Sequence, residues 1–128
     1  MRTEKEMIEL ITRTALEDPR IRAAYLEGSR ANPKVPRDIF QDYDVEYIVE
    51  DTRPFREDKQ WIDRFGERLY MQYPEESVLY QDADVENWYG WLIQFTDGNR
   101  LAFDTADTFS FALCLLRTYT SADSRKCR

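Results

Sequence analysis

Apolar residues recur at Met7, Ile8, Ile11, Ala15 and Leu16, a spacing of threes and fours that lines one stripe of a helix. Thr3 and Glu6 stand just ahead at capping-box spacing, where hydroxyl and carboxylate each satisfy an orphan donor of the first turn. Asp18-Pro19 ends the run, because proline disfavours helical geometry in the residue before it. The period then changes. Ile21 to Leu26 is short and extended, ends at Gly28-Ser29, and leads into a polar loop containing Pro33 and Pro36. From Tyr43 to Val49 the period is two: Tyr43, Val45, Tyr47 and Val49 share one face, with Asp42, Asp44 and Glu46 on the other.

After Pro54, the spacing of Trp61, Ile62, Phe65 and Leu69 predicts a helix over Lys59 to Met71. Val78 to Tyr80 reads as a short strand and Trp88 to Thr96 as a longer one. Asp97-Gly98-Asn99 is a hairpin turn into a strand from Arg100 to Asp104. Phe109 to Tyr119 reads as a short helix, followed by a polar end from Ser121 to Arg128. No repeat or linker breaks the series. The order helix, strand, strand, helix, strands predicts one α+β domain, a small mixed twisted sheet flanked by helices.

Composition narrows this picture. The 128 residues suffice for one core, and 42% apolar with 14% aromatic content predicts a packed globule. No apolar run approaches the roughly 18 residues of a membrane span, and the N-terminus lacks the apolar stretch of a signal peptide. The expected setting is the cytoplasm. Lys and Arg total 18 against 25 Asp and Glu, so the net charge of -7 repels nucleic acid and favours a cationic ligand. There is no histidine, which excludes Ser-His-Asp triads and His-ligated zinc. Cys114 and Cys127 make neither a disulfide framework nor a metal site. Chemistry therefore falls to carboxylates, hydroxyls, Lys, Arg and Tyr.

One constellation suits such chemistry: Leu26-Glu27-Gly28-Ser29-Arg30 and then, twelve residues after Arg30, Asp42-Tyr43-Asp44-Val45. Nucleotidyl transfer builds negative charge around phosphorus, and a divalent cation beside the phosphate oxygens counters it. Carboxylates are the natural ligands of Mg²⁺. Two Asp residues one position apart on a strand face the same side, roughly 6.5 to 7 Å apart. Gly28 lets backbone approach phosphate, Ser29 offers a hydrogen bond to it, and Arg30 offers a charge-assisted contact to the same triphosphate. Separately these are ordinary features: an acidic pair fits a solvated strand face, and Gly-Ser fits a turn. In this order after a strand, they match the nucleotidyltransferase signature. The aromatics Tyr25, Tyr43, Tyr47, Trp88, Tyr89 and Trp91 read as core rather than stacking platforms. The series Arg53, Arg56, Lys59, Arg64 and Arg68 reads as an exposed helix face.

The likeness extends past the signature. Phe40-Gln41-Asp42-Tyr43-Asp44 and Asp97-Gly98-Asn99-Arg100-Leu101, with the opening Met1 to Met7, Trp61, Met71-Gln72 and Asn87-Trp88, resemble the aminoglycoside 6-adenylyltransferases, the streptomycin-modifying branch. The resemblance implies a polymerase-beta-like nucleotidyltransferase core over residues 1–104. It also implies transfer of AMP from ATP to a hydroxyl of streptomycin, with Mg²⁺ as cofactor and a cationic aminoglycoside as partner. On it, Asp42 and Asp44 are the metal-binding pair, and Gly28 and Ser29 form the phosphate-binding loop.

The family pattern places a third acid, completing the metal site or acting as base, directly after the position of Leu101. Here that residue is Ala102. Asp104, two residues on, faces the same side and is a candidate for that carboxylate or else a strand-end or turn residue; reaching the same ion would need a register shift or a bulge. Past Ala102 the likeness stops, so residues 105–128 read as a diverged or truncated tail, or as the product of a slipped reading frame. The family's C-terminal helical domain is missing from this reading, which predicts sticky apolar surface and self-association. Two alternatives stand beside the transferase: a minimal nucleotidyltransferase that modifies a protein in a toxin–antitoxin pair, and a nucleotide-binding or assembly module without catalysis.

Overall fold

A computed structural model of the chain describes residues 1–79 and 84–112. Helix α1 spans Glu4–Glu17 and begins at the capping box: Thr3 Oγ1 accepts from the Glu6 amide at 3.2 Å, and the Glu6 carboxylate accepts from the Thr3 amide at 2.7 Å. Met7, Ile11 and Thr14 turn inward, whereas Leu16, on the edge of the stripe, is exposed. Strand β1 (Ile21–Glu27) runs into a one-turn helix α2 (Gly28–Ala31), and after the loop comes β2 (Tyr43–Val49). Next are α3 (Arg53–Glu57), a 3₁₀ turn (Trp61–Phe65), β3 (Arg68–Gln72) and a second 3₁₀ turn (Pro74–Glu76). The hairpin of β4 (Trp88–Phe95) and β5 (Arg100–Asp107) completes the sheet.

The sheet order is β1-β2-β5-β4-β3, and only the β2–β5 pair is parallel. This is the mixed sheet that the order of elements predicts. Alternation sends Tyr43, Val45, Tyr47 and Val49 of β2 to one face, beside Leu101 and Phe103 of β5 and Tyr89, Trp91, Ile93 and Phe95 of β4. Met7 and Ile11 of α1 and Phe55, Trp61, Ile62 and Phe65 cover that face. Aromatic edges meet faces there, with Tyr47 and Phe103 centred 4.7 Å apart and Phe55 and Trp61 4.9 Å apart. The opposite face carries Asp44 and Glu46, Ala102 and Asp104, Gly90 and Leu92.

Two expected elements differ. The helix expected over Lys59 to Met71 is divided: Trp61, Ile62 and Phe65 are buried in a 3₁₀ turn, Gly66 ends it at φ 139°, and Arg68–Gln72 becomes strand β3. A spacing of three, as between Ile62 and Phe65, suits a 3₁₀ turn as well as an α-helix, and pairing with β4 then claims the residues after Gly66. Leu69, expected on the buried stripe, is 67% exposed. Val78 and Leu79 form a turn rather than a strand, while Tyr80 lies outside the described residues. Strand β5 runs on to Asp107, past residue 104, because its ladder with β2 continues to Val49–Asp107. Residues 108–112 are helical; the remainder of the helix expected to Tyr119, with Cys114 and Cys127, lies outside the described residues. Among the described residues, no helix is long and apolar enough to cross a membrane.

Candidate functional site

Strand β1 ends with Glu27 paired opposite Asp44, and the chain then turns at Gly28 with φ 65°. That conformation is costly for any residue with a side chain. Space makes the same demand: a Cβ on Gly28 would run into the Asp44 carboxylate, far inside van der Waals contact. The Gly-Ser turn and the acidic pair are thus in contact in space. The loop between them is ordered by its own polar groups, with Asp38 Oδ1 accepting from the amides of Phe40 at 2.7 Å and Gln41 at 3.1 Å. Gln41 also donates to the Pro36 carbonyl at 3.1 Å. Asp42 ends this loop, Asp44 lies one pleat into β2, and Ser29, Asp42 and Asp44 are all half-buried.

Arg30, expected to contact the triphosphate, makes its contacts with the protein itself. Its side chain is only 7% exposed and is engaged within the protein. Nε donates to the Asp42 carbonyl at 3.1 Å, and one terminal nitrogen donates to the Gln41 carbonyl at 2.7 Å. The other pairs with Glu4 of α1 at 3.4 Å, and the guanidinium lies 3.9 Å from the centre of the Tyr43 ring. The flat fork that suits a phosphate suits a pair of backbone carbonyls equally.

Across the sheet, Asp44 pairs with Ala102 and Glu46 with Asp104. The ladder is unbroken from Tyr43–Leu101 to Val49–Asp107, with neither the shift nor the bulge that would bring Asp104 beside Asp44. Asp104 instead lies beside Glu46, over Gly90 of β4, where a side chain would collide with its carboxylate. Glu46, only 4% exposed, joins the acidic face although its residue type alone did not single it out. Its place on the Asp42–Asp44 side of the alternation was the available signal. Among the described residues, no group of three or more Asp, Glu, Cys or His could hold a metal ion. Mg²⁺ is commonly held by one or two carboxylates plus substrate phosphates, and Asp44 beside Gly28, with Asp42 two residues before it, fits such a donor set.

Other groups take structural places. Tyr43, Tyr47, Tyr89 and Trp91 are core, and burial pushes the Tyr47 and Tyr89 phenols well above their ordinary range. Tyr25 alone of that set is largely exposed, tilted against Phe111 with ring centres 5.3 Å apart. The cation series is no single helix face. Arg56 donates to the Val85 carbonyl, Lys59 bridges Glu76 and the Tyr89 hydroxyl at 2.6 Å each, and Arg68 pairs with Asp63 at 2.6 Å.

A family model for streptomycin adenylyltransferase matches residues 1–112. The chain belongs to the streptomycin adenylyltransferase family. It is 46% identical over 101 residues to an aminoglycoside 6-adenylyltransferase of Bacillus subtilis, covering 79% of this chain and 35% of that protein. A Campylobacter jejuni protein of the same name is 44% identical over 97 residues, covering 76% of this chain and 33% of that protein. The crystal structure of an aminoglycoside 6-adenyltransferase from Bacillus subtilis superposes with a TM-score of 0.74 at 34% identity, over 91% of this chain and 40% of that one. The fold is therefore the α+β nucleotidyltransferase core. The chain spans about a third of the length of the relatives it matches. The family match runs on beyond Ala102, through β5 and into the helical residues that follow.

Proposed function

We propose that this family member binds ATP with Mg²⁺ and transfers AMP to a hydroxyl of a cationic aminoglycoside such as streptomycin. The observation that carries the reading is the contact between Gly28 and the Asp44 carboxylate, which brings the Gly-Ser turn against the strand that carries the acidic pair. The relatives' names support the reaction class. Gly28 and Ser29 hold the phosphates, with the Gly28 turn letting backbone approach them closely. Asp42 and Asp44 hold Mg²⁺, which when bound offsets charge on the phosphate oxygens. The acidic sheet face formed by Glu27, Asp44, Glu46 and Asp104 favours a polycationic acceptor.

The test is pyrophosphate release from ATP and Mg²⁺ with streptomycin, run beside an Asp42→Ala/Asp44→Ala double variant. Release that depends on streptomycin and disappears in the variant supports the reading; equal rates in both overturn it. A second reading rests on Ala102, an apolar residue directly opposite Asp44 in the ladder. Without a third carboxylate there, the chain retains nucleotide and metal without turnover. Mg²⁺-dependent ATP binding in the absence of pyrophosphate release selects this reading.

A further inference from the structure

We infer that Arg30 is a positioning residue that sets the distance between the Gly28-Ser29 turn and Asp42. This rests on the metal-nucleotide reading of the site. Arg30 sits one residue past Ser29, on α2, and its guanidinium holds the carbonyls of Gln41 and Asp42, eleven and twelve residues further along the chain. The two hydrogen bonds converge on the last loop residues before β2, so they fix the backbone from which the Asp42 carboxylate projects. Tyr43, stacked beneath the guanidinium and 1% exposed, anchors the same point from the core side. Glu4 of α1 offsets the buried charge at 3.4 Å. Two residues on from Asp42, the Asp44 carboxylate abuts the Gly28 backbone. The turn and the acidic pair are therefore clamped at two points, one by Arg30 and one by the absence of a side chain at Gly28.

Groups that orient metal ligands without touching the ion matter nearly as much as the ligands. Lysine keeps the charge of Arg30 but lacks the planar fork that spans two carbonyls while lying flat on a ring. Arg30→Lys is thus the informative variant, and Arg30→Met is the harsher one.

Three measurements on the whole chain separate the outcomes: binding of Mn²⁺ in the presence of a non-hydrolysable ATP analogue, binding of the analogue without metal, and hydrogen exchange of the peptide spanning residues 38–45. Arg30→Lys is expected to weaken Mn²⁺ binding by about 10- to 100-fold. It should also speed exchange in that peptide while leaving metal-free analogue binding and the melting midpoint near wild type. Asp42→Asn, as control, should weaken Mn²⁺ binding with exchange unchanged. Loss of metal-free analogue binding with Mn²⁺ affinity retained would make Arg30 a phosphate contact and overturn the inference. So would a melting point lowered with neither metal affinity nor local exchange altered, the mark of a merely structural role. If the wild type binds no Mn²⁺, the functional reading fails by itself; unchanged exchange in Arg30→Lys then overturns the clamp, and faster exchange upholds it.

Discussion

Asp44 has Glu27 on one side and Ala102 on the other along the sheet, and the contrast decides what its carboxylate can do. A carboxylate at position 102 would lie beside it on the same face, completing a three-acid cluster. Ala102→Glu is therefore expected to tighten Mn²⁺ binding, read by titration against wild type; unchanged affinity would show that position 102 does not reach the ion. Gly28 is constrained both by its positive φ and by the carboxylate that covers it. Gly28→Ala should lower unfolding stability by at least about 1–2 kcal/mol from the left-handed backbone alone, with further loss from displacement of Asp44. Urea denaturation measures it. Both residues are ordinary by type, and their importance comes from the neighbour each one faces.

At the scale of elements, the β4–β5 hairpin holds the start of the chain. Asp97 in its turn accepts from the Arg2 amide at 3.0 Å and from Arg2 Nε at 2.7 Å, and from Asn99 Nδ2 at 3.0 Å. Burial alone would raise the Asp97 carboxyl, but these hydrogen bonds outweigh it and hold the group well below the usual carboxylate range. A depressed folded value means that the stabilisation is present above the unfolded value near about 3.9 and is lost as pH falls below it. The urea midpoint of the wild type is expected to fall as pH drops below about 5, and Asp97→Asn should flatten part of that fall. An identical slope in the variant would remove Asp97 as the cause. The capping box of α1 gives a second element-scale expectation: Thr3→Ala should cost about 1 kcal/mol in the same assay. The box belongs to local sequence, whereas the link from Arg2 to Asp97 joins segments 95 residues apart.

For the whole molecule, the core occupies one face of the sheet while the other bears acidic groups and exposed apolar side chains. Leu92 is 43% exposed on that second face, and Leu69 and Tyr70 are 67% and 63% exposed on β3, which ends the sheet. An edge strand with uncovered apolar side chains pairs readily with other copies. We expect concentration-dependent self-association by light scattering, reduced by Leu69→Lys. A monodisperse monomer at every concentration would contradict it. The relatives extend to about three times the matched length.

Short-range patterns are legible in the amino-acid order alone. The α1 cap, the alternation of Tyr43 to Val49, the Asp97-Gly98-Asn99 turn and the residue types of the Gly-Ser and Asp-x-Asp motif each depend on neighbours within a few positions. Local sterics and hydrogen bonding decide such features, so they follow from residue order without reference to distant contacts. The fate of Lys59 to Met71 is not legible in this way, because a spacing of three admits two kinds of turn and the choice lies with pairing to β4. The direction of Arg30, the burial of Glu46 and the pairing of Asp44 with Ala102 rather than Asp104 are also beyond the sequence. Each depends on contact between segments distant along the chain. Residue type limits the bonds a side chain can make, but only the packed sheet and loops decide which partners come within reach.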